Sequence, residues 1–372
     1  MTKVTIVLGC LGTHGPSLIR AQLAAEMIRR GIAVDVVLGE DPDGLGPSLF
    51  EGCGVHILGT QRPRQFIGKL RAHLKQLRPD GVLASSWPFS VATIIAAKLY
   101  QAGIPVVISE HADFRTNIMN SGEFTKKDTW LIKHFSRFIY NRASNIVGVS
   151  QGVIDGLCEV AGVDRHKTKT IFNPLRSLKD EGKQDAFERA AREGFWNKDD
   201  IKLLAVGRLA KQKDYQTMLE ALSILKDRGN YKLIIVGSGG MRAELEQQVV
   251  QMGLERSVLF AGTSCSLSEY YEDADLFVMS SSSEGFGNVL VEALSFGLPI
   301  VSTDCKSGPA EILLNGRFGF LTPVGDAYAF ANGIEQALAT PTDPETQKSR
   351  AAIFSIEAAT DQYLSALFSK SS

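Results

Sequence analysis

A run of serines between an apolar strand and a helix most constrains how this 372-residue chain can fold. Residues 276–279 are apolar and strand-forming, four serines occupy 280–283, and a helical apolar pattern begins near Asn288. Such a change from strand to small polar residues to helix is typical of a strand–turn–helix unit. A chain built from these units folds as an α/β protein.

Two carboxylates lie eight positions apart in this unit. Glu284 precedes the glycines of the loop, and Glu292 falls on the second turn of the predicted helix, so both can reach one ligand. Gly285 and Gly287 allow the backbone to approach a bound group, and the first helix amides carry partial positive charge. A lone Glu-Gly-x-Gly is more often an ordinary turn, but this arrangement predicts an anion-binding corner with acids beside it.

Strand and helix patterns alternate through both halves of the chain. Predicted strands cover 4–8, 34–38, 81–84, 105–109 and 146–150 in the first half, and 202–206, 232–236, 258–261, 276–279 and 300–303 in the second. Helices are predicted from 16, at 65–77 and 91–100, from 214, from 241 and at 356–368. This order, a length sufficient for two cores and 44% hydrophobic residues predict two Rossmann-like domains with parallel sheets.

The Glu284-x7-Glu292 stretch with Gly-Phe-Gly inside it, followed by Leu-Pro-Ile-Val-Ser-Thr-Asp at 298–304, resembles the signature of the retaining nucleotide-sugar glycosyltransferases of family 4. That family has the GT-B fold, in which two Rossmann-like domains face a central cleft. The resemblance implies an acceptor-side domain over 1–173, with a C-terminal helix at 353–372 packing back on it. A nucleotide-sugar-binding domain would then cover 174–352.

A second loop carries two cations at a five-residue spacing. Arg208 and Lys213 follow the strand at 202–206, and two cations there suit the diphosphate of a leaving group. Surface lysines are common, but this spacing about seventy residues before Glu284 resembles the family's donor site. In the second half no Asp-x-Asp pair follows a predicted strand, so neither a metal site nor any other cofactor is predicted there.

The resemblance also implies roles for individual residues. Glu284 would bind the sugar hydroxyls and His111, which follows a strand, would meet the donor sugar, so the predicted catalytic residues are Glu284, His111, Arg208 and Lys213. Glu292 would bind the ribose. The predicted substrate-binding residues are Gly15, Gly237, Gly285, Phe286, Gly287, Asn288, Val289 and Glu292. The family often has an arginine three residues after a glycine pair, where this chain has Leu18.

The implied activity is transfer of a hexose or N-acetylhexosamine from a nucleotide diphosphate sugar, with a UDP-sugar expected, to a glycan or polyprenyl-diphosphate-linked acceptor. The expected context is surface polysaccharide or lipopolysaccharide biosynthesis, with retention at the anomeric carbon. Two other classes stay open. One is a non-catalytic nucleotide-sugar-binding protein, and the other is a dinucleotide oxidoreductase, although the loop at 9–15 lacks the Gly-x-Gly-x-x-Gly fingerprint.

The near-neutral total charge hides an asymmetry. Residues 1–170 hold 20 Lys+Arg against 14 Asp+Glu, and residues 200–350 hold 13 against 19. Two segments, 62–78 and 126–142, concentrate basic and aromatic residues, which indicates an anionic membrane surface as a partner, whereas nucleic acid is not predicted. The other interpretation of 126–142 is a helix that packs its apolar residues on the sheet.

The five cysteines are scattered and show no metal-binding or disulfide spacing, which predicts reduced thiols. No run of 18 apolar residues occurs, and the first apolar segment is more typical of a strand than of a signal peptide. We therefore expect a cytoplasmic protein, peripheral on the inner face of the cell membrane if the basic segments bind lipid.

Overall fold

The computed structural model describes residues 1–11, 15–60, 62–119, 135–176, 178, 192, 194–264 and 266–369. The chain forms two compact units. The first contains Met1–Arg176 and Phe354–Ser372, and the second contains Ser177–Ile353. Each unit has its own parallel sheet with helices packed around it.

Seven parallel strands form the sheet of the first unit within its described residues. They are β1 (Lys3–Cys10), β2 (Ala33–Glu40), β3 (Gly54–Ile57), β4 (Gly81–Ser85), β5 (Val106–Glu110), β6 (Asn145–Gly148) and β7 (Thr168–Thr170). Their spatial order is β3-β2-β1-β4-β5-β6-β7. The prediction that 146–150 is the last strand of this domain is wrong, because the short polar strand β7 pairs with β6.

The helices of this unit include α1 (Gly15–Arg29), α2 (Gly46–Leu49), α3 (Pro63–Leu77), α4 (Phe89–Tyr100), α5 (Phe114–Met119) and α6 (Gln151–Ala161). Of these, α1, α3 and α4 lie close to predicted positions, whereas α2, α5 and α6 were not predicted. Ile19, Leu23 and Met27 recur at helical spacing in α1 and are buried against the sheet, as the sequence predicts. Gly31, with φ of 77°, ends this helical segment.

The second unit repeats the architecture. Its strands are β8 (Ile201–Val206), β9 (Tyr231–Val236), β10 (Val258–Gly262), β11 (Leu276–Met279), β12 (Ile300–Thr303) and β13 (Phe320–Thr322), in the order β10-β9-β8-β11-β12-β13. Its helices are α7 (Tyr215–Leu225), α8 (Arg242–Gln251), α9 (Leu267–Asp273), α10 (Asn288–Ser295), α11 (Pro309–Ile312), α12 (Ala327–Ala339) and α13 (Pro344–Ala352).

The chain then returns to the first unit through its last helix, α14 (Ile356–Phe368). Tyr363 and Leu367 of this helix are buried in the core of that unit, and Asn145 at the start of β6 donates a hydrogen bond of 2.7 Å to the Ala366 carbonyl. The structure therefore places residues from the end of the chain beside those of its first strands.

In both sheets the strand order reverses beside the first strand of the unit, between β1 and β4 and between β8 and β11. Ligands of open α/β sheets bind outside the carboxyl ends of the strands at such a reversal. This topology confirms the predicted parallel α/β architecture and points to the loops after β8 and β11 as a candidate site. Among the described residues, no helix combines the length and apolar character needed to cross a membrane.

The segment predicted over 126–142 lies partly outside the described residues, including Lys126, Trp130, Leu131 and Lys133. In its described helical part, 135–140, Phe135 and Phe138 are exposed, whereas Ser136, Ile139 and Tyr140 are buried. The interpretation that this segment packs its apolar residues on the sheet is therefore wrong for Phe135 and Phe138, although Ile139 is buried. The buried face is fixed by Tyr140, whose hydroxyl reaches a buried carboxylate that helical periodicity alone does not reveal.

Candidate active site

The loops after β8 and β11 bring together two residues predicted to be catalytic. The Lys213 ammonium lies 2.5 Å from Glu284 Oε1, and the Ser281 hydroxyl donates to the same oxygen at 2.7 Å. The side chains of Lys213 and Glu284 are only 16% and 10% exposed, so solvent screens this pair less than a surface ion pair. Residues 71 positions apart thus share one hydrogen-bonded cluster at the sheet reversal.

The serines that precede Glu284 tie its loop to the Lys213 loop. The Ser280 hydroxyl donates to the Lys213 carbonyl at 3.0 Å, and the Ser282 amide and hydroxyl both donate to the Gln212 carbonyl, at 2.9 and 3.1 Å. Thr303, at the end of β12, donates to the Ser281 carbonyl at 2.6 Å. The serine run therefore holds two loops in register beside the cation and the carboxylate.

Arg208 lies in the same loop after β8 but is exposed, and its guanidinium makes no hydrogen bond or ion pair to the described residues. Gly237 packs behind this loop with φ of 148°, and a Cβ there would lie 2.0 Å from the Gly207 carbonyl oxygen. The Leu209 amide donates to the Ser238 carbonyl at 2.9 Å. Only glycine permits this close approach, so the Gly237 turn fixes the backbone that carries Arg208.

Glu292 is buried on the second turn of α10, which begins at Asn288 as predicted. The Tyr271 hydroxyl donates to Glu292 Oε2 at 2.9 Å, and the Tyr271 ring stacks on Phe296 at a centroid distance of 5.1 Å. Tyr271 therefore orients the carboxylate predicted to bind ribose. Sequence analysis missed this residue because its contact with Glu292 depends on the packing of α9 against α10.

The glycine-rich residues between the two acids form a tight loop. Phe286 is buried, and its carbonyl oxygen would lie 1.7 Å from a Cβ added to Gly308, which has φ of 98°. The loop after β12 therefore packs directly on the loop before α10, and glycine is required at this contact. Gly285, Gly287 and Val289, also predicted to bind substrate, belong to the same turn and the first turn of α10.

Cys305 lies near this cluster, but its thiol is not activated as a nucleophile. Burial, together with the negative charge of Glu284, raises the pKa of the Cys305 thiol to about 12. A thiol in that state is protonated and a poor nucleophile. No group of three or more His, Cys, Asp or Glu side chains suited to a metal ion occurs in the part of the chain that the structure describes.

In the first unit, His111 follows β5 and contacts a buried arginine that the sequence analysis missed. Arg20 Nη2 lies 2.8 Å from His111 Nε2, and Arg20 Nε donates to Ser85 Oγ at 2.7 Å. Burial is the main reason why the pKa of His111 lies well below its ordinary value, and the Arg20 charge is the second. The imidazole is therefore neutral.

A signal for Arg20 is present in the sequence. Arg20 lies on the same face of α1 as the buried residues Leu23 and Met27. An arginine on such a face must find polar partners inside the core. Gly15 and Leu18, which the sequence analysis aligned with the family's glycine pair and arginine, lie in the first turn of α1.

Glu110, next to His111, is also buried. Its carboxylate accepts hydrogen bonds from the Ser90 hydroxyl at 2.7 Å, the Tyr140 hydroxyl at 2.8 Å and the Trp87 amide at 3.1 Å. Burial raises the pKa of this carboxyl group. Tyr140 is one of the aromatic residues of 126–142 that were expected to face a membrane, and this expectation is wrong for it, because its ring is buried and its hydroxyl donates to Glu110.

Comparison with known families accounts for both units. Residues 21–176 match the family described as Glycosyltransferase Family 4, and residues 186–353 match Glycosyl transferases group 1. The chain is a member of glycosyltransferase family 4. The second match covers nearly all of the unit Ser177–Ile353, and the first covers the first unit except residues 1–20 and the returning segment Phe354–Ser372.

Curated relatives of this family 4 chain include two bacterial glycosyltransferases. It is 29% identical over 242 residues to the amylovoran biosynthesis glycosyltransferase AmsD of Erwinia amylovora, covering 65% of this chain and 63% of the relative. It is 29% identical over 206 residues to the N-acetylgalactosamine-N,N'-diacetylbacillosaminyl-diphospho-undecaprenol 4-alpha-N-acetylgalactosaminyltransferase of Campylobacter jejuni. That match covers 55% of this chain and 54% of the relative. The chain thus spans less than two thirds of either relative.

Among solved structures, this family 4 chain resembles Anabaena Alr3699/HepE in complex with UDP. The TM-score is 0.80 at 22% identity, and the match covers 99% of this chain and 100% of the other. At this identity the likeness concerns the fold. It confirms the prediction of a GT-B fold built from two parallel α/β domains.

Proposed function

We propose that the protein is a glycosyltransferase that moves a hexose or N-acetylhexosamine from a UDP-sugar to a glycan or polyprenyl-diphosphate-linked acceptor, with retention at the anomeric carbon. We also propose that residues 174–352 bind the donor and that residues 1–173 provide the acceptor side. The observation that carries the proposal is the cluster of Lys213 and Glu284, with Arg208 on the same loop, at the strand reversal of the second sheet.

The charges of this cluster suit a diphosphate. Arg208 is exposed and presents a guanidinium, which can bind two phosphate oxygens at once. The Lys213 ammonium is held in place by Glu284 and can neutralise charge on the departing phosphate. The first amides of α10, after Gly287, supply further donors. In this proposal these groups carry out the charge stabilisation, without a divalent metal.

The proposed chemistry exchanges one bond for another at the anomeric carbon. The bond from that carbon to the phosphate oxygen breaks, and the acceptor oxygen forms its bond on the same face of the sugar. The departing phosphate takes the acceptor proton, so the products are the glycoside and UDP. Glu284 accepts hydrogen bonds from the sugar hydroxyls, and Glu292, oriented by Tyr271, accepts them from the ribose.

The names of the relatives support the donor and acceptor classes. Alr3699/HepE was solved with UDP and with UDP-glucose, which supports a UDP-sugar donor. The C. jejuni relative is named for a diphospho-undecaprenol-linked acceptor, and AmsD is named for amylovoran biosynthesis. Both support a surface glycan as the product class.

Turnover should not require a divalent metal. With a panel of UDP- and GDP-sugars and lipid-diphosphate-linked acceptors, we expect one UDP-sugar to release UDP and to glycosylate an acceptor at an unchanged rate in EDTA. Quantification of UDP and of the glycosylated product by mass spectrometry measures both sides of the reaction. If no sugar is transferred from any donor while UDP still binds, the protein is a sensor. Loss of turnover in EDTA with recovery in Mn²⁺ would contradict the assigned charge groups.

We further propose that the first unit binds anionic membranes through 62–78 and the described residues of 126–142. In α3 the described basic side chains Arg64, Lys69, Arg71 and Lys75 are exposed. In the second segment Phe135 and Phe138 are 61% and 63% exposed and flank the exposed Arg137. Exposed aromatics beside basic residues are typical of a surface that inserts shallowly into anionic lipid.

This membrane proposal predicts selective flotation with liposomes. Wild-type protein should float with vesicles containing anionic lipid and remain behind with neutral vesicles. Arg137→Glu should weaken binding by about 1–2 kcal/mol, because each basic residue near anionic lipid contributes about 1 kcal/mol. Lys226→Glu, which reverses an exposed charge on the second unit, serves as the matched control. Equal recovery with both vesicle types, or equal loss in the two variants, would contradict the proposal.

A further inference from the structure

The surroundings of His111 restrict which of its ring nitrogens can carry a proton. Arg20 is fully buried, and its guanidinium can only donate hydrogen bonds. Its Nη2 lies 2.8 Å from His111 Nε2, so Nε2 must be the acceptor with its lone pair turned to Arg20. In a neutral imidazole the proton is then on Nδ1.

Tyr363 and Ser109 hold Arg20 and His111 in this geometry. The Tyr363 hydroxyl accepts a hydrogen bond of 3.2 Å from Arg20 Nη2 and lies 2.9 Å from Ser109 Oγ. Ser109 Oγ is in turn 3.2 Å from His111 Nε2. The Arg20 guanidinium also lies over the Tyr363 ring, 4.9 Å from its centroid. The cluster joins α1, β5 and α14, all in the first unit.

The charged and titratable groups around the ring agree with this assignment. Arg20 from α1 and Tyr363 from α14 face Nε2 directly or through Ser109. Glu110, the neighbour in β5, is bound to Ser90, Tyr140 and the Trp87 amide. No carboxylate among the described residues pairs with His111, whereas the Arg20 cation opposes a second positive charge on the ring.

A different constraint applies to the other ring nitrogen of His111. His111 Nδ1 is shielded from solvent and makes no hydrogen bond to the described residues. A buried Nδ1–H donor without an acceptor costs free energy. The arrangement therefore favours binding of a ligand whose oxygen accepts a hydrogen bond from Nδ1. A substrate hydroxyl or phosphate oxygen has the required chemistry.

We propose that Arg20, Ser109 and Tyr363 are positioning residues that lock His111 in the neutral Nδ1–H tautomer, so that the ring donates a hydrogen bond to substrate and does not act as a proton acceptor. The identity of the bound oxygen rests on the proposed glycosyltransferase function, but the tautomer does not. In this arrangement the last helix of the chain, through Tyr363, controls a residue that follows the fifth strand.

Nitrogen-15 NMR of the imidazole rings tests the tautomer directly in the full-length protein. Signals of His111 are assigned by their loss in His111→Gln. We expect a neutral ring protonated on Nδ1, with no titration between pH 5 and 8. A ring that titrates near pH 6.5, or a proton on Nε2, would overturn the proposal whether or not the protein transfers sugar.

Two variants test the positioning residues. In Arg20→Met we expect the pKa of His111 to rise, because the Arg20 charge is removed while burial still lowers it, and we expect the ring to exchange between tautomers. Tyr363→Phe preserves the packed ring and should shift the His111 nitrogen signals. It should also lower kcat about fivefold, which converts to about 1 kcal/mol of barrier, with unchanged UDP affinity. Tyr328→Phe, at a 70% exposed tyrosine of the second unit, is the control and should leave all three quantities unchanged.

If Arg20→Met does not fold, Tyr363→Phe decides the matter. Wild-type nitrogen signals and wild-type kcat in Tyr363→Phe would exclude Tyr363 as a positioning residue. Conversely, the expected tautomer in a protein that transfers no sugar would leave the lock intact and reject the proposed function.

Discussion

Lys213→Ala is expected to lower kcat/KM for the UDP-sugar by about 100- to 1,000-fold, the loss found when one preorganised charge-stabilising donor is removed. The Lys213 ammonium is 2.5 Å from Glu284 and only partly exposed, so no water-exposed cation can replace it. Its loss removes a charge from the diphosphate and leaves the Glu284 carboxylate with the Ser281 hydroxyl but without its ion-pair partner. Arg208→Ala should cause a loss of the same order without lowering Tm, because the Arg208 guanidinium makes no hydrogen bond or ion pair to the described residues.

The chain provides a matched control two residues earlier. Lys211 is exposed and lies in the same short 3-10 turn as Lys213. Lys211→Ala removes the same charge from the same loop and should change kcat/KM only slightly. Steady-state kinetics with the donor found in the panel, together with thermal unfolding, makes the comparison. Equal losses in the Lys211 and Lys213 variants would mean that net charge of the loop, and not the Lys213–Glu284 cluster, is responsible.

The second large effect should separate the two carboxylates. Glu292→Gln is expected to weaken binding of free UDP by about 1.5–3 kcal/mol, because a charge-assisted contact to the ribose hydroxyls is lost. Glutamine retains an acceptor for the Tyr271 hydroxyl, so the substitution removes the charge and keeps that orienting hydrogen bond. Calorimetric titration with UDP measures the change.

Glu284→Gln should behave differently. If Glu284 binds the sugar most strongly in the transition state, its loss lowers kcat and leaves UDP affinity at the wild-type value or higher. Affinity is not expected to fall, since Glu284 competes with the diphosphate for Lys213 in the structure. If Glu284→Gln loses UDP affinity, or Glu292→Gln keeps it, the assignment of sugar and ribose to these carboxylates is wrong.

Local sequence patterns predict much of the fold. The bounds of β11, β12 and α14 and the first residue of α10 agree with those predicted from periodicity and turn residues. The meeting of Lys213 and Glu284 is also predictable, because both follow strands whose carboxyl ends lie at one edge of a parallel sheet. Their roles in binding and catalysis stay predictions.

Other features depend on tertiary contacts that no local pattern contains. The hydrogen bond from Tyr271 to Glu292 and the contact of Tyr363 with Arg20 join residues on different helices. Periodicity also misassigned the exposed Phe138, because the neighbouring Tyr140 turns its hydroxyl to the buried Glu110. Apolar spacing identifies a buried face only where no polar side chain has a stronger partner inside the core.

The serine hydrogen bonds between 280–282 and the Lys213 loop have a consequence for selectivity. Because Ser280, Ser282 and Thr303 tie these loops together through protein groups alone, the conformational entropy of the loops is lost when the chain folds. A nucleotide that binds there therefore loses little binding free energy to the ordering of these loops. Differences in affinity between nucleotides should accordingly reflect their direct contacts with the protein. A preference for uracil or guanine would then arise from contacts with the base and not from closure of this loop.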